Sequence, residues 1–539
     1  MEINAFRVGV TYVKSNSWFR ICMSLIGVVL LWLYLFEYGY HIGSWDKADL
    51  VRGLLQASDM AKGNVLLDHW YSSTDSFWTI DDIFFVIGVM IVGAKILLLH
   101  VVSACTWTIL IIAGAYVASL DLRRHARTTS ALTVLVLLGV PSTVLAGYLS
   151  QSEIHIGTVV FALLAFLGLR DGRFGPGWFV AVALFALGTL GDPLIIAFGL
   201  VPALAVGLFD GIRARNWKCG FSTASAPIVA TFIAGLARLA AVQIGTFQIA
   251  GSNPFAPMKL FSNLHLVIPG AATLLGLGHD FASNGVPWEL ELFRTTSALA
   301  VVTGVLAGTG CLLLRVFSAQ PRIDAQGMKG RSEASYRLND LLVLGVMGSV
   351  VAFEILSVDT SSTRYLIPGI VFGSILAAML LGRLAHQLRT RRGVRALGAV
   401  GILLIGGFGA IAGLSMAQPI SVSPFVQLSQ FLKSHDLNRG VGDYWSSAPI
   451  TVYSDGLVKV RQVTPTFGGG IEPYLWLSKS DWYAGTFQFL VYNAGSTTGK
   501  SIQNALQFPF SVVAHTYRDG LFRIVVWSHP EPISKLETG

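Results

Sequence analysis

Apolar runs of about twenty residues recur along most of this chain. Each is about as long as the ~20 residues that an α-helix needs to cross the ~30 Å hydrocarbon core of a bilayer. Within lipid, a helix satisfies its own backbone hydrogen bonds, whereas irregular segments do not. With a mean hydropathy of +0.62 and 53% hydrophobic residues, the sequence predicts an α-helical polytopic membrane protein.

Arginine and lysine residues gather in short segments between these runs, at every second connection. Under the positive-inside rule such segments lie in the cytoplasm. The net charge of +8 therefore reflects membrane topology and does not indicate a nucleic-acid partner. The basic segments are Arg123 to Arg127, Arg170 to Arg173, Arg213 to Lys218, Arg315 to Arg337 and Arg383 to Arg395.

Alternation of basic and non-basic connections predicts about eleven transmembrane helices. The first, 18–37, is expected to be an uncleaved helix that starts in the cytoplasm, because no small-residue cleavage site follows it. Residues 83–95 are interpreted as an outer-leaflet or protruding turn that precedes the span 96–120. The other spans are predicted at 129–148, 155–169, 178–191, 193–210, 222–245, 295–317, 340–357, 365–382 and 397–417.

The sequence divides into a transmembrane domain, residues 1–417, and a tail of different composition, residues 418–539. Two outer loops interrupt the first domain, at 38–82 and 246–294. The tail contains short alternating runs separated by Asp-Gly turns, a pattern that is typical of strands and hairpins. It predicts a small α/β or β-rich domain outside the cytoplasm.

The outer loop 38–82 concentrates acidic residues in a chain with only 13% charged residues. A carboxylate at a membrane interface can act as general base for an incoming hydroxyl or help to hold a divalent cation. Because two helices fix the ends of the loop, we expect its aspartates to converge over one cavity. A solvated acidic loop is the alternative. The aspartates are Asp46, Asp49, Asp59, Asp68, Asp75, Asp81 and Asp82.

Further candidate binding residues lie on the same side of the membrane. A tight turn carries Glu153 and His155, and ionisable groups at such depth are usually functional or paired. Arg364, followed by Tyr365, begins a span on its outer side, where a guanidinium suits a lipid-linked phosphate. Snorkelling to the interface is the alternative role for this arginine. Asp192 is expected to cap the helix that follows it.

Aromatic residues in the loop 38–82 allow two interpretations, because sugar rings stack on aromatic faces and Trp and Tyr also anchor proteins at membrane interfaces. Anchoring is favoured for most of them. Trp70, beside His69, is the best candidate for contact with a ligand. The four cysteines show neither metal-ligand spacing nor a disulfide framework.

The order of these features resembles GT-C glycosyltransferases. These polyprenyl-phosphate-sugar-dependent membrane enzymes include protein O-mannosyltransferases and the lipid A aminoarabinose transferase. Shared features are a first helix from inside, a long acidic outer loop, an Arg-Tyr-x-x-Pro segment at 364–368 and an outer C-terminal domain. Segments 61–70 and 74–77 look like the first outer loop of bacterial members, and 442–447 looks like the outer domain of others.

The resemblance implies an inverting glycosyltransferase of a bacterial inner membrane. It would move a hexosyl or pentosyl group from a polyprenyl-phosphate donor to an acceptor hydroxyl. Family enzymes place an essential carboxylate early in the first outer loop, and Asp49 or Asp46 matches that position as catalytic base. Asp75 and Asp81 would be supporting carboxylates. The Asp-Glu pair of better-known members is absent, which leaves the base and a divalent metal open.

Donor binding follows from the same resemblance. The donor phosphate would lie near Arg364 and Lys259. The acceptor stays open between a lipid, a polysaccharide and a protein, because nothing in residues 418–539 spells out a binding motif. Membrane lipids are the other expected partners.

Three other functions stay open. A transporter or flippase of a lipid-linked glycan needs ionisable residues near the middle of several helices. The predicted spans carry few besides Lys95, His100, Arg238 and Glu354. A glycan ligase or polymerase needs more basic residues in the loop 246–294 than Lys259 and Arg294. A scaffold or receptor role for the tail is the non-catalytic alternative.

Overall fold

A computed structural model of the chain describes two bodies, a helical domain up to residue 387 and an α/β domain from residue 422 onward. The described residues are 2–42, 47–214, 217–250, 261–277, 288–317, 329–356, 360–387, 422–466, 470–505 and 513–536, with a few between 406 and 420.

Long apolar helices form the first domain. By length and composition six of them are able to cross a membrane, and a pair bent by 92° makes a seventh candidate. The prediction of a polytopic helical membrane protein is therefore confirmed. The helices are α1 (Glu2–Ile42), α2 (Ala48–Ala61), α3 (Asp81–Val92), α4 (Leu97–Ser119), α5 (Arg124–Gly139), α6 (Thr143–Leu149), α7 (Ile156–Leu169), α8 (Pro176–Gly191), α9 (Val201–Ala214), α10 (Trp217–Ile244), α11 (Leu264–Leu275), α12 (Trp288–Phe317), α13 (Lys329–Leu356) and α14 (Ile367–Gln387).

Two predicted segments have a different local structure. Residues 83–95 are mostly helical, because α3 continues to Val92 and ends at Gly93, whose φ of 78° suits a residue without a side chain. The predicted span 129–148 is the bent pair α5 and α6. Pro141 lies at the bend, where it has no backbone N–H to donate. The predicted span 397–417 falls mostly outside the described residues.

The outer loop 38–82 is more ordered than its sequence interpretation suggested. Helix α1 extends to Ile42, and α2 forms an amphipathic helix instead of a solvated loop. Its apolar residues recur at helical spacing, and Leu50, Val51 and Leu54 are buried in the core of the helical domain. Burial of this face fixes α2 across one end of the bundle.

A mixed sheet organises the second domain, which confirms the predicted α/β tail. The strand order is β5-β4-β3-β6-β8-β7, in which β3 pairs in parallel with β4 and β6 and the other pairs are antiparallel. The elements are α15 (Pro424–Ser434), β3 (Arg439–Gly442), α16 (Tyr444–Tyr453), β4 (Lys459–Pro465), β5 (Ile471–Pro473), β6 (Thr486–Asn493), α17 (Thr497–Ala505), β7 (Val513–Asp519), β8 (Phe522–Pro532) and α18 (Ile533–Leu536). A parallel pair, β1 (Tyr71–Ser72) and β2 (Gln248–Ile249), lies in the helical domain.

Asp59 is the centre of the contact between the two domains. Its carboxylate accepts hydrogen bonds from Trp70 Nε1 at 2.8 Å and from Lys479 Nζ at 3.1 Å. The Trp70 ring packs edge-on against Trp482, with centroids 4.8 Å apart. The backbone N–H of Tyr71 donates to the carbonyl of Ser478 at 2.7 Å. These contacts hold the second domain against the C-terminal end of α2.

Charged side chains join two of the basic segments at the other end of the bundle. Asp210 pairs with Arg337 at 2.7 Å and with Arg315 at 3.1 Å. Arg337 also donates to the backbone carbonyl of Arg170 at 2.6 Å. Because Glu153 and Arg170 flank opposite ends of α7, this network and the second domain lie at opposite ends of the helical domain.

Candidate functional site

A cavity of about 970 Å³ lies between the helical domain and the second domain. Helix α2, the segment before α3, the turn before α7 and the 3₁₀ segment Thr360–Leu366 supply one side. Helix α16 and the strands β4 and β5 with the residues that follow them supply most of the other. The charged residues that line it are Lys47, Asp49, Arg52, Asp75, Glu153 and Arg364.

Asp49 lies in the first turn of α2, with its carboxylate at the cavity. A negative charge there is favoured by the helix dipole. The Tyr444 hydroxyl of α16 donates a hydrogen bond to Asp49 Oδ1. Burial and the Asp49 carboxylate both raise the pKa of Tyr444, so this hydroxyl stays protonated and remains a donor. The hydrogen bond from Tyr444 therefore orients the Asp49 carboxyl group at the cavity.

Two cations face Asp49 across the cavity. Arg364 donates a hydrogen bond to the Tyr365 hydroxyl at 3.2 Å. The carboxylates of Asp75 and Asp49 favour the charged form of the Arg364 guanidinium. The pKa of Lys47 lies below its ordinary value because the cavity wall partly desolvates its ammonium. The Asp49 carboxylate opposes this shift and the Arg364 guanidinium adds to it. Two cations close enough to repel each other form a site that suits an anion.

Arg52 and Glu153 form a buried ion pair at the base of the cavity, with Nη2 and Oε2 2.7 Å apart. Glu153 has a φ of 58°, an uncommon conformation for a residue with a side chain. Gly53 makes this approach possible, because a Cβ there would lie 1.6 Å from Glu153 Oε1. The turn that carries Glu153 is thus held against α2.

Asp81 and Asp82 lie behind this ion pair at the start of α3, both fully buried. Asp81 Oδ2 accepts the backbone N–H of Glu153 at 3.0 Å. Burial, followed by the charge of Glu153, raises the pKa of Asp81 to about 7 and also raises that of Asp82. Three carboxyl groups share one arginine, so the cluster retains protons near neutral pH.

His155 and Asp192 form a second buried pair, with Nδ1 and Oδ2 2.7 Å apart. Thr158 donates to the same oxygen at 2.6 Å, and Asp192 Oδ1 accepts the backbone N–H of Leu194 at 3.0 Å. The predicted cap is wrong in position, because Asp192 follows the last residue of α8 and Ile195 is the N-cap of the next helical segment, Ile196–Leu200. Burial alone would raise the pKa of Asp192, but His155 and these donors hold it below its ordinary value. The His155 ring lies 5.6 Å from that of Tyr365, which supports the arginine segment.

The loop aspartates do not all converge over the cavity. Asp49 and Asp75 line it, whereas Asp81 lies behind it with Asp82. Asp59 binds the second domain instead. Two sequence candidates, Asp46 and Lys259, lie outside the described residues.

Trp70 and His69 are placed differently from their prediction as ligand contacts. Trp70 is only 1% exposed, because Asp59 and Trp482 enclose its ring. His69 is exposed beside Asp68 and Asp481, at 3.4 and 3.6 Å. Both belong to the contact between the domains, and neither lines the cavity.

A metal finds no ligand set in the described part of the chain. There, no three His, Cys, Asp or Glu side chains are arranged to share an ion. The Arg52 guanidinium lies beside Glu153, with Nη2 and Oε2 2.7 Å apart. The divalent metal that the sequence left open therefore has no such ligand set among these residues.

Sequence reasoning missed several residues that shape the cavity. Arg52 follows Asp49 by three residues, a helical spacing that the amphipathic pattern of α2 would have revealed. Tyr444 carried a family likeness but no assigned role. Trp445, Tyr474 and Trp476 have no local signal that places them at the cavity, because they are brought there by the fold of the second domain.

Among the solved structures to which the chain is similar are two of low identity. The Archaeoglobus fulgidus oligosaccharyltransferase, in complex with Zn and sulfate, is 11% identical over 90% of this chain and 71% of that one, with a TM-score of 0.45. ArnT from Cupriavidus metallidurans, bound to undecaprenyl phosphate, is 10% identical over 93% of this chain and 97% of that one, with a TM-score of 0.38. No family model and no curated protein sequence matches the chain.

With both TM-scores below 0.5, neither likeness assigns a reaction to this chain. The reaction has to follow from the residues of the cavity.

Proposed function

We propose that this protein is an inverting glycosyltransferase that moves a sugar from a polyprenyl-phosphate donor to an acceptor hydroxyl. The observation that carries the proposal is that Asp49 and the cations Lys47 and Arg364 line one cavity at an end of the helical domain. A lipid-linked sugar phosphate needs an anion site at the membrane surface, and its transfer needs a base beside that site.

The mechanism requires one displacement. Asp49 takes the proton of the acceptor hydroxyl, and the oxygen then forms a bond to the anomeric carbon. The bond from that carbon to the phosphate oxygen breaks on the opposite face, which inverts the configuration. The polyprenyl phosphate leaves with its electron pair, and its negative charge is stabilised by Arg364 and Lys47.

Transport is disfavoured by the partners of the ionisable residues in or near the spans. Lys95 pairs with Asp455 of the second domain at 2.7 Å. Glu354 accepts the backbone N–H of Asn263 at 3.1 Å, and Arg238 donates to the carbonyl of Phe247 at 3.2 Å. Each group anchors a neighbouring segment, which is not expected of residues that line a transport path.

The basic segments at the far end of the bundle favour a cytoplasmic position for that end. On this basis we propose that the cavity opens at the extracytoplasmic face of a bacterial inner membrane. Accessibility labelling of a single cysteine introduced at Ser434, in a chain without native cysteines, tests this orientation. Labelling from outside intact cells is expected, and labelling only after lysis would contradict it.

Replacement of Asp49 by asparagine tests the reaction. Loss of a general base is expected to lower the rate of transfer by about 10²- to 10⁴-fold. The matched control is Asp68→Asn, in the same loop but half exposed and away from the cavity. Mass spectrometry of surface glycans from cells with and without the gene identifies the missing sugar. Undiminished transfer by the folded Asp49→Asn protein would refute the role of Asp49.

A further inference from the structure

The two walls of the cavity differ in charge. Among the described residues, all charged side chains of its lining come from the helical domain. The lining residues of the second domain are neutral, and four of them are aromatic: Tyr444, Trp445, Tyr474 and Trp476. We call these four residues the aromatic wall. A ligand that bridges the cavity therefore meets charge on one side and aromatic faces on the other.

Ring contacts join three residues of the aromatic wall. Tyr444 lies edge-on to Trp445, with centroids 4.9 Å apart, and edge-on to Tyr474, with centroids 5.6 Å apart. Trp445 nevertheless remains 44% exposed at the start of α16. Thr464 and Thr498 add hydroxyl groups to the same side of the cavity. An exposed tryptophan in a fixed cluster provides a rigid binding face at low entropic cost.

Neutral saccharides match this chemistry. The C–H groups of a sugar ring pack against aromatic faces, and its hydroxyls form hydrogen bonds with neutral donors and acceptors. A phosphate or carboxylate headgroup requires cations, which the described residues of this wall lack. The anionic donor is therefore expected on the side of Arg364 and Lys47, and the other substrate on the aromatic wall.

We propose that the aromatic wall binds a neutral saccharide as the acceptor of transfer. This inference rests on the proposed glycosyltransferase function. Tyr444 connects binding of the acceptor with removal of its proton, because its ring belongs to the aromatic wall and its hydroxyl donates a hydrogen bond to Asp49. A sugar stacked beside this ring presents a hydroxyl to the base, so the wall selects the acceptor and positions it.

Saccharide binding is tested on the full-length protein in detergent, without donor. The probes are neutral tetrasaccharides of glucan, mannan and galactan, with binding followed by calorimetry. At least one is expected to bind, and Trp445→Leu and Trp476→Leu should each weaken binding at least tenfold. Trp445→Phe retains a ring and is expected to bind within a few fold of the wild type. Phe431→Leu removes a ring of α15 that does not line the cavity and should change nothing.

The outcomes separate this inference from the proposed reaction. Asp49→Asn should bind the saccharide while losing transfer. If Asp49→Asn transfers normally but the wall variants still weaken saccharide binding, the reaction is wrong and the saccharide site stands. If no tetrasaccharide binds, or if wall variants bind it as well as the wild type, the inference is overturned. Binding of a peptide or phospholipid headgroup in place of the saccharides overturns it as well.

Discussion

The two ends of the helical domain each contain a buried charge cluster, but their charges balance differently. At the far end, Asp210 and Asp340 are matched by two arginines, Arg315 and Arg337. At the cavity end, the carboxyl groups of Asp81, Asp82 and Glu153 share Arg52. Burial and the charge of Glu153 raise the pKa of Asp81 to about 7 at the cavity end. Removal of a carboxylate therefore leaves arginines unpaired at the far end, whereas at the cavity end it also relieves repulsion between carboxyl groups.

The largest effect on stability is expected at the balanced end. Asp210→Asn leaves two arginines with a single carboxylate, and breaking a buried ion pair costs about 3–5 kcal/mol. Thermal unfolding in detergent measures the loss. The matched control Asp171→Asn breaks an exposed pair with Arg170 and should cost less than about 1 kcal/mol. Equal losses in the two variants would mean that the buried network does not brace the bundle.

Glu153→Gln is expected to lower activity more than stability. The substitution removes one negative charge from a cluster in which carboxyl groups outnumber arginines. The weaker repulsion between the remaining carboxyl groups offsets part of the stability that is lost with the Arg52 ion pair. Because Glu153 lines the cavity, we expect transfer to fall roughly tenfold or more. Unfolding temperature and kcat are measured on the same preparation. A large loss of stability with an unchanged kcat would contradict this expectation. The cluster at Glu153 would then have only a structural role, like the cluster at Asp210.

Asp81→Asn should change how stability depends on pH. In the folded protein the pKa of Asp81 is raised to about 7. The contribution of its protonated form to the free energy of unfolding is therefore fully present at low pH and is lost as pH rises through 7. The difference is on the order of a few kcal/mol. Relative to the wild type, the variant should therefore gain melting temperature between pH 5 and pH 8. Asp481→Asn, at an exposed carboxylate, should give curves parallel to the wild type, and parallel curves for Asp81→Asn would contradict the raised pKa.

The smallest effect is expected at the exposed pair between Lys95 and Asp455. Both side chains are about half exposed, so Lys95→Gln should cost only about 0–1 kcal/mol. Activity should remain that of the wild type, because neither residue lines the cavity. A loss comparable with that of Asp210→Asn would show that this exposed contact stabilises the protein as much as the buried network does.

The sequence predicts the class of fold because its strongest signals are local. Apolar runs identify the helical domain, and short alternating runs with Asp-Gly turns identify the strands of the second domain. Helix α2 was predicted as part of a loop because of its carboxylates, although Leu50, Leu54 and Ala57 recur at helical spacing. Its helical pattern was nevertheless present in the sequence.

The cavity is predictable only in part, because its residues are distant along the chain. Arg364 was predicted as a site residue because an arginine on the outer side runs against the positive-inside bias. Asp49 was predicted because of its position in the first outer loop. The partner of Asp49 is Tyr444, 395 residues later, and no local pattern connects them. The left-handed backbone at Glu153 likewise depends on the space left by Gly53 in another element.

The hydrogen bond between Tyr444 and Asp49 also has a consequence for the order of assembly. Asp49 enters the membrane surface with the first helices, whereas Tyr444 is synthesised 395 residues later. At ribosomal rates of about 5–20 residues per second, that interval is roughly 20–80 s. Nascent chains thus insert and pack their helices with the Asp49 carboxyl group still unoriented, and the cavity is complete only when the second domain has folded.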